Sequence, residues 1–305
     1  MQVDAISKPN ASKLRGLLRL TRWTEFVPYV FPLTTFGALM ATKATGTAID
    51  GRLIVAILAN LLVGAYAFMI NDIEDAPDDA FDPARAARNP VAAGEISARE
   101  GWLATLACGA LALVLFALLG LPVLLTGGLN LVLAHLYSWK IIRLKAYPVA
   151  DVVSHALMLS GLVFLIGYFT FHNQPGAVWW IVLSMTLVSC YGQLYNQVRD
   201  FEADKAAGLH NTAILIGERA AHLLGYAFVG AAVVILIGVF ISGLIPWWVL
   251  IAPLAALPLF LIIRPQRDMR GGEAANLSGK MQWATMLLYN LAIGVWFIAA
   301  LLKLW

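Results

Sequence analysis

The sequence predicts an all-α integral membrane protein, with nine transmembrane helices around a central cavity and the N-terminus cytoplasmic. Three observations carry this. The 305 residues are 60% hydrophobic with a mean hydropathy of +0.77, well above an ordinary soluble domain. Apolar runs long enough to cross a bilayer recur from end to end, and in lipid each must be helical because its backbone groups find no water to bond. Lys and Arg collect in alternate loops, as they do in a multi-pass chain.

The elements follow in order. Residues 1–22 are a basic segment carrying Lys8, Lys13, Arg15, Arg19 and Arg22. The segment lacks a small-residue cleavage site and is read as cytoplasmic chain, not as a removable signal peptide. A proline-containing run spans 26–43, and a second run, 52–70, leads into an acidic stretch. Runs 101–120 and 121–137 are divided only at Gly120 and Pro122. Runs 148–170, 177–197, 222–242, 245–263 and 283–302 complete the nine. Eighteen of the 21 Lys and Arg precede the first run or follow the second, fourth, sixth and eighth; Lys43, Arg52 and Lys303 remain for the other side. That asymmetry makes the rich side cytoplasmic. The net charge of +3 follows from this topology and does not suggest a nucleic-acid partner. No soluble stretch is long enough for a second domain, so residues 1–305 are expected to form one. Cys108 and Cys190 fall within apolar runs without metal or disulfide spacing and are expected to pack as small apolar residues.

Where the second run ends the chain reads NDIEDAPDDAFD, Asn71 to Asp82, with six carboxylates in twelve residues. A second acidic segment, YNQVRDFEADKAAG, follows the sixth run with Asp200, Glu202 and Asp204. Both emerge on the cytoplasmic side, and both begin with an Asn, a faint sign of internal duplication. On a helix Asp72, Asp75 and Asp79 share a face at i, i+3 and i+7, as do Asn196, Asp200 and Asp204 at i, i+4 and i+8. Like charges so close raise one another's pKa unless a cation intervenes. Hard divalent cations suit oxygen ligands, and Mg²⁺ commonly bridges carboxylates to phosphate oxygens. Two such clusters across a cavity could hold a diphosphate between metal ions. A single cluster reads more simply as a solvated acidic loop; the pair, on one side and near basic residues, does not. Arg88, Lys140, Arg143 and Arg199 read either as ligands for the outer phosphate oxygens or as topology charges meeting lipid headgroups.

These motifs resemble those of the UbiA superfamily of intramembrane prenyltransferases. Its N-D-x-x-D-x-x-x-D motif matches Asn71, Asp72, Asp75 and Asp79, and the tail that follows is similar to RNPVAAGEIS, Arg88 to Ser97. Its second motif resembles Asp200, Asp204, Gly208 and Thr212, and its Tyr-plus-basic loop resembles YSWKIIRLK, Tyr137 to Lys145. Two departures stand out. Pro77 lies inside the first motif and implies a kink or helix end before Asp79. Lys140 follows Tyr137 by three positions where many members use four, which leaves Lys140 and Arg143 both open as the phosphate ligand.

The resemblance implies nine helices and a Mg²⁺-dependent transfer of an isoprenyl group from a prenyl diphosphate to a lipophilic acceptor, with pyrophosphate released. It implies metal binding by Asp72, Asp75, Asp79, Asp200 and Asp204, and substrate binding by Asn71, Arg88, Tyr137, Lys140, Arg143, Asn196 and Arg199. A greasy cavity with one charged end suits an allylic cation, which water would quench. Tyr137, Trp139, Tyr191 and Tyr195 could stabilise it through their ring faces or serve as interfacial anchors. The acceptor is not specified. Asp151 and His155, at i, i+4 where the fifth run starts, could orient an acceptor or take a proton if they face the cavity, and Asp151 is therefore a catalytic candidate. A P-x-x-D here faintly resembles carotenoid-elongating members. A membrane terpene cyclase or a lycopene elongase is the alternative reading. A cation transporter is remote, because transporter carboxylates gather near the bilayer midplane.

Overall fold

The computed structural model describes residues 10–206, 208–262 and 277–304. All regular structure among them is helical. Two helices open the fold: the basic α1 (Asn10–Thr21) and α2 (Trp23–Thr45), joined at Arg22, whose φ of 50° breaks the helix. Then come α3 (Arg52–Asp79), α4 (Pro83–Arg88), α5 (Ala98–Leu119) and α6 (Leu121–Ser138). The fifth apolar run is α7 (Ala150–Ala156), a π-helical turn (Leu157–Gly161) and α8 (Leu162–Phe169). It is followed by α9 (Trp179–Arg199), α10 (Phe201–Ala206), α11 (Thr212–Ile216), α12 (Glu218–Ile241), α13 (Ile251–Ile262) and α14 (Leu277–Leu301).

Among the described residues six helical stretches are long and apolar enough to cross a membrane: Arg52–Asp79, Ala98–Leu119, Leu121–Ser138, Ala150–Phe169, Gly176–Arg199 and Glu218–Ile241. The other three expected runs coincide with α2, α13 and α14. Helix α2 is the most polar of these. Its Thr34, Thr35 and Thr42 are buried and return their hydroxyls to carbonyls one turn earlier, at 2.7, 2.9 and 3.0 Å, which satisfies them without water. Of the basic residues expected to mark the inner loops, Lys8, Arg264, Arg267 and Arg270 lie outside the described residues, as does the side chain of Lys280.

Close packing sets the helices around the cavity. Helices α2 and α8 touch backbone to backbone, because a Cβ on Gly37 would lie 2.1 Å from the Phe164 carbonyl oxygen and one on Gly167 2.0 Å from that of Thr34. Small residues at such crossings are how apolar helices approach in lipid. Asn60 of α3 adds polar glue, donating to Thr34 Oγ1 at 2.8 Å and to the Val163 carbonyl at 3.2 Å. The outward faces keep Leu111, Leu118, Val234 and Ile241 exposed, as a lipid-facing surface requires. Cys190 packs with Val152, Ala156 and Leu194.

Within the segment read as a plain basic N-terminus, Asn10–Thr21 form an amphipathic helix. Leu20 of α1 is fully buried while Leu14 and Leu18 are exposed. Lys13 pairs with Glu100 at 2.7 Å, and Arg19 pairs with Glu95 and donates to the Ala87 carbonyl. Helix α1 is thus tied to the segment that follows the first acidic motif.

Candidate active site

Helix α3 does not end with the apolar run; it continues through the acidic stretch to Asp79, with Pro77 in its last turn. The helix end implied by Pro77 therefore falls after the motif. This carries Asn71, Asp75, Asp78 and Asp79 onto the wall of a cavity of about 580 Å³. Asn196, Asp200 and Asp204 line the same cavity. They do not lie on one continuous helix as their spacing suggested: α9 stops at Arg199, Asp200 caps it, and α10 begins at Phe201. The Asp204 N–H still bonds the Asp200 carbonyl at 2.9 Å, so the turn holds both carboxylates toward the cavity despite the break.

Asp72 is separate from this face. It is buried, does not line the cavity, and faces Arg22, whose Nη1 is 3.2 Å from Oδ1. Arg22 also forks onto Glu25 at 2.6 and 2.8 Å and stacks over Phe68 at 4.9 Å. The tail of the first motif acts through Asn89. Its Nδ2 donates to the Asp72 carbonyl at 2.7 Å and to Asp79 Oδ2 at 2.9 Å. Arg88 is largely exposed, points to Glu25 at 4.0 Å and does not line the cavity.

In the basic loop the two open candidates part. Arg143 adopts φ 48° and lines the cavity, its Nη2 at 3.2 Å from Asp75 and 3.5 Å from Asp78. Lys140 stays outside, with its N–H on Glu74 at 3.1 Å and its ammonium 3.6 Å from Asp78. Lys145, not singled out from sequence, is the most engaged cation of the loop. Its Nζ lies 2.6 and 2.8 Å from the two oxygens of Asp75 and 2.9 Å from Asn71 Oδ1. Arg22 and Arg85 also line the cavity and were equally missed. Their signal was only the general positive charge of that side. Arg199 folds onto its neighbour Asp200 at 2.9 Å and does not reach the lining.

The Asp204 carboxyl is pushed up to about 6, by burial first and then by the Asp200 charge; Arg85, Asn211 and Lys145 draw it the other way. Among the described residues no three His, Cys, Asp or Glu side chains already form a metal cage. The donor set that shares the cavity is nonetheless all oxygen: Asp75, Asp78, Asp79, Asp200 and Asp204 with the amides of Asn71 and Asn196. Such a set suits a hard divalent cation that keeps waters; of the expected ligands Asp72 lies apart from it, and Asp78, not among those expected, lies within it.

The expected Asp151–His155 pair divides. Asp151 is fully buried and does not line the cavity. Its carboxylate accepts from Gln197 Nε2 at 2.6 Å, the Val152 N–H at 2.7 Å, the Thr212 N–H at 2.6 Å and the Thr212 hydroxyl. Gln197 in turn accepts from the Ala213 N–H at 3.0 Å, and the Thr212 hydroxyl oxygen accepts from the Val149 N–H at 2.8 Å. Val149 sits at φ 70°, a conformation that costs a β-branched residue about 1–3 kcal/mol and persists only where surroundings enforce it. His155 does line the cavity, beside Met158, Leu159 and Tyr137. Of the four candidate aromatic residues only Tyr137 is in the lining; Trp139 packs on His135, and Tyr191 and Tyr195 of α9 share a small separate pocket with His222 of α12.

Known proteins resemble this chain in sequence and in fold. A digeranylgeranylglyceryl phosphate synthase of Methanopyrus kandleri is 28% identical over 250 residues, 82% of this chain and 87% of its own. A lycopene elongase/hydratase of Haloarcula japonica is 30% identical over 224 residues, 71% of this chain and 72% of its own. The solved structure of a UbiA homologue from Archaeoglobus fulgidus bound to GPP and Mg²⁺ superposes with a TM-score of 0.73 at 24% identity, covering 93% of this chain and 99% of that one. The pattern of the UbiA prenyltransferase family runs through residues 30–290, from the middle of α2 into α14, and this chain belongs to that family.

Proposed function

We propose that the protein transfers an isoprenyl group from a prenyl diphosphate to a lipophilic acceptor in a Mg²⁺-dependent reaction that releases pyrophosphate. The observation that carries this reading is the single cavity lined by Asp75, Asp78, Asp79, Asp200 and Asp204 with Arg143 and Lys145 among them. A diphosphate needs cations on every side, and the oxygen-only donor set fits Mg²⁺. When bound, Mg²⁺ neutralises the departing pyrophosphate and lowers the barrier to C1–O cleavage.

The chain's own groups divide the remaining work. Lys145 and Arg143 present donors to the outer phosphate oxygens, and Asn71 and Asn196 orient them. Arg22 and Arg85 close the charged end. Ala67, Phe68, Met158 and Leu159 form the apolar wall that receives the prenyl chain and keeps water from the allylic cation. Asp72 acts one step back, by fixing Arg22, and Asp151 by fixing the wall.

The reading extends to topology. Nine crossings are proposed, α7 to α8 counted as one, within a single domain of residues 1–305. The N-terminus is cytoplasmic and the charged end of the cavity opens there. The excess of Lys and Arg on that side supports this orientation. The deciding experiment is purified protein with Mg²⁺ and geranylgeranyl diphosphate, with and without a panel of glycerolipid, aromatic and polyene acceptors, read by mass spectrometry. Acceptor-dependent coupled product is the expected result. Acceptor-independent cyclised hydrocarbon would identify a cyclase instead, and absence of pyrophosphate release would overturn the reading.

A further inference from the structure

The polar end of the cavity accounts for the diphosphate, but prenyl transfer leaves one proton to be removed. The electron pair of the C1–O bond leaves with pyrophosphate. An electron pair of the acceptor forms the new bond to C1. The acceptor, a hydroxyl or an alkene carbon, then carries one proton too many. The carboxylates of the cavity sit with the cations at its charged end, and Asp151 is committed to four donors behind the wall. At the apolar wall the basic side chain is His155.

We infer that His155 is a catalytic residue that accepts the proton released when the acceptor is prenylated. The inference rests on the proposed prenyl transfer. Its support is positional. His155 stands one turn beyond Asp151 on α7, and that carboxylate locks α7 to Gln197 of α9 and to Thr212. The imidazole therefore projects from a fixed backbone. Directly after it the chain makes its π-helical turn, Leu157–Gly161, which supplies Met158 and Leu159 to the same wall. Such turns inside helices concentrate at functional sites because the added residue re-aims side chains. The Tyr137 ring lies 6.0 Å from the imidazole, and the Tyr137 hydroxyl accepts from Gln193 Nε2 at 3.0 Å, so the tyrosine is oriented beside the base. An imidazole is half protonated near neutral pH in ordinary surroundings and shuttles a proton without a permanent charge among apolar neighbours. The substrate class that follows is an acceptor that gives up a proton on prenylation and places it at the apolar wall.

The test separates ionisation from coupling in His155→Gln and His155→Ala, with folding checked by thermal unfolding in detergent. Pyrophosphate release and the ratio of coupled product to free prenol are measured together. The expected result is pyrophosphate release near wild type, coupled product down roughly 100-fold with prenol in its place, and recovery of coupling in His155→Ala when imidazole is added. An unchanged product ratio in either folded variant overturns the inference. So does an equal loss of pyrophosphate release and coupling, or lack of imidazole rescue, since each makes His155 a shaping residue only. Failure of the underlying reading is distinct: the wild type would then release no pyrophosphate.

Discussion

The carboxylate of Asp151 accepts both the backbone N–H of Thr212, at 2.6 Å, and its hydroxyl. Sixty-one positions apart, the two residues fasten the start of α7 to the turn that carries Asn211, and Asn211 holds Asp204 at 2.8 Å. Gln197, between Asn196 and Asp200, completes the clasp. Asp151→Asn places an amide N–H₂ among donors and forfeits charge-assisted bonds of about 1.5–3 kcal/mol each. The variant is expected to melt at lower temperature in detergent, and its Mg²⁺ requirement should shift because Asp204 loses its support. A variant with wild-type melting would show that the clasp is dispensable.

Asp72 and Asp75 are three residues apart in one motif, yet their surroundings assign them different work. Asp75 faces the cavity and Asp72 faces Arg22. Asp75→Asn should abolish pyrophosphate release with little change in melting. Asp72→Ala removes one partner of a half-buried guanidinium, leaving Glu25, and should cost about 1.5–3 kcal/mol of stability along with activity. Wild-type activity should vanish with EDTA and return with Mg²⁺. Measuring both variants for melting and turnover tests the division, which fails if Asp75→Asn is the less stable of the two.

How much of this could be read from the sequence depends on the range of each interaction. Helical spacing placed Asp72, Asp75 and Asp79 on one face, of which Asp75 and Asp79 line the cavity; Pro77 misled about where α3 ends, and the spacing of Asn196, Asp200 and Asp204 hid the break after Arg199. The departure of Asp72 was not legible, because its partner Arg22 is 50 residues away and turns it from the cavity. The basic loop offered three cations; Arg143 and Lys145 line the cavity and Lys140 does not, and the loop's turn with positive φ at Arg143 is invisible in a residue list. Asp151 looked like a cavity carboxylate since nothing local announces Gln197 and Thr212. Helix α1 was hidden in its basic charge, although Leu14, Leu17, Leu18 and Leu20 already marked two faces.

The proposed orientation is tested by labelling. Ala84 and Ala206 have exposed side chains near the two acidic segments. In a background lacking Cys108 and Cys190, Ala84→Cys and Ala206→Cys should resist a membrane-impermeant thiol reagent applied to intact cells and react after permeabilisation. Reaction at both sites in intact cells would invert the topology.

Glu100 joins α1 to the start of α5. It caps Ser97, whose N–H and hydroxyl lie 2.9 and 2.8 Å from Oε2, and it pairs with Lys13. The Lys13 hydrogen bond first, then the Ser97 groups, hold its carboxyl at about 2, below its ordinary 4.5. A carboxyl depressed on folding stabilises above its unfolded pKa, and that contribution fades as pH falls toward the folded value. The melting advantage of wild type over Glu100→Gln should therefore be full at pH 6, shrink below about 4.5, and weaken in high salt because the pair is solvent-exposed. An advantage that grows on acidification contradicts the assignment.

Lys145 offers the sharpest test of the charged end. Its ammonium contacts both oxygens of Asp75 and the amide oxygen of Asn71, so the first acidic motif carries its own counter-ion. A cation that binds Asp75 must compete with that ammonium, and the ammonium it displaces remains within reach of a diphosphate. Lys145→Gln therefore has two opposed effects. Mg²⁺ should bind more tightly without substrate, because the competing charge is gone. Prenyl diphosphate should bind more weakly by about 1.5–3 kcal/mol, the usual worth of a hydrogen bond to a charged group, or roughly 10- to 100-fold. Titrating Mg²⁺ and a non-hydrolysable prenyl diphosphate analogue separately by calorimetry reads the two effects apart. A purely structural lysine would weaken both ligands together, and that outcome would remove Lys145 from the diphosphate site.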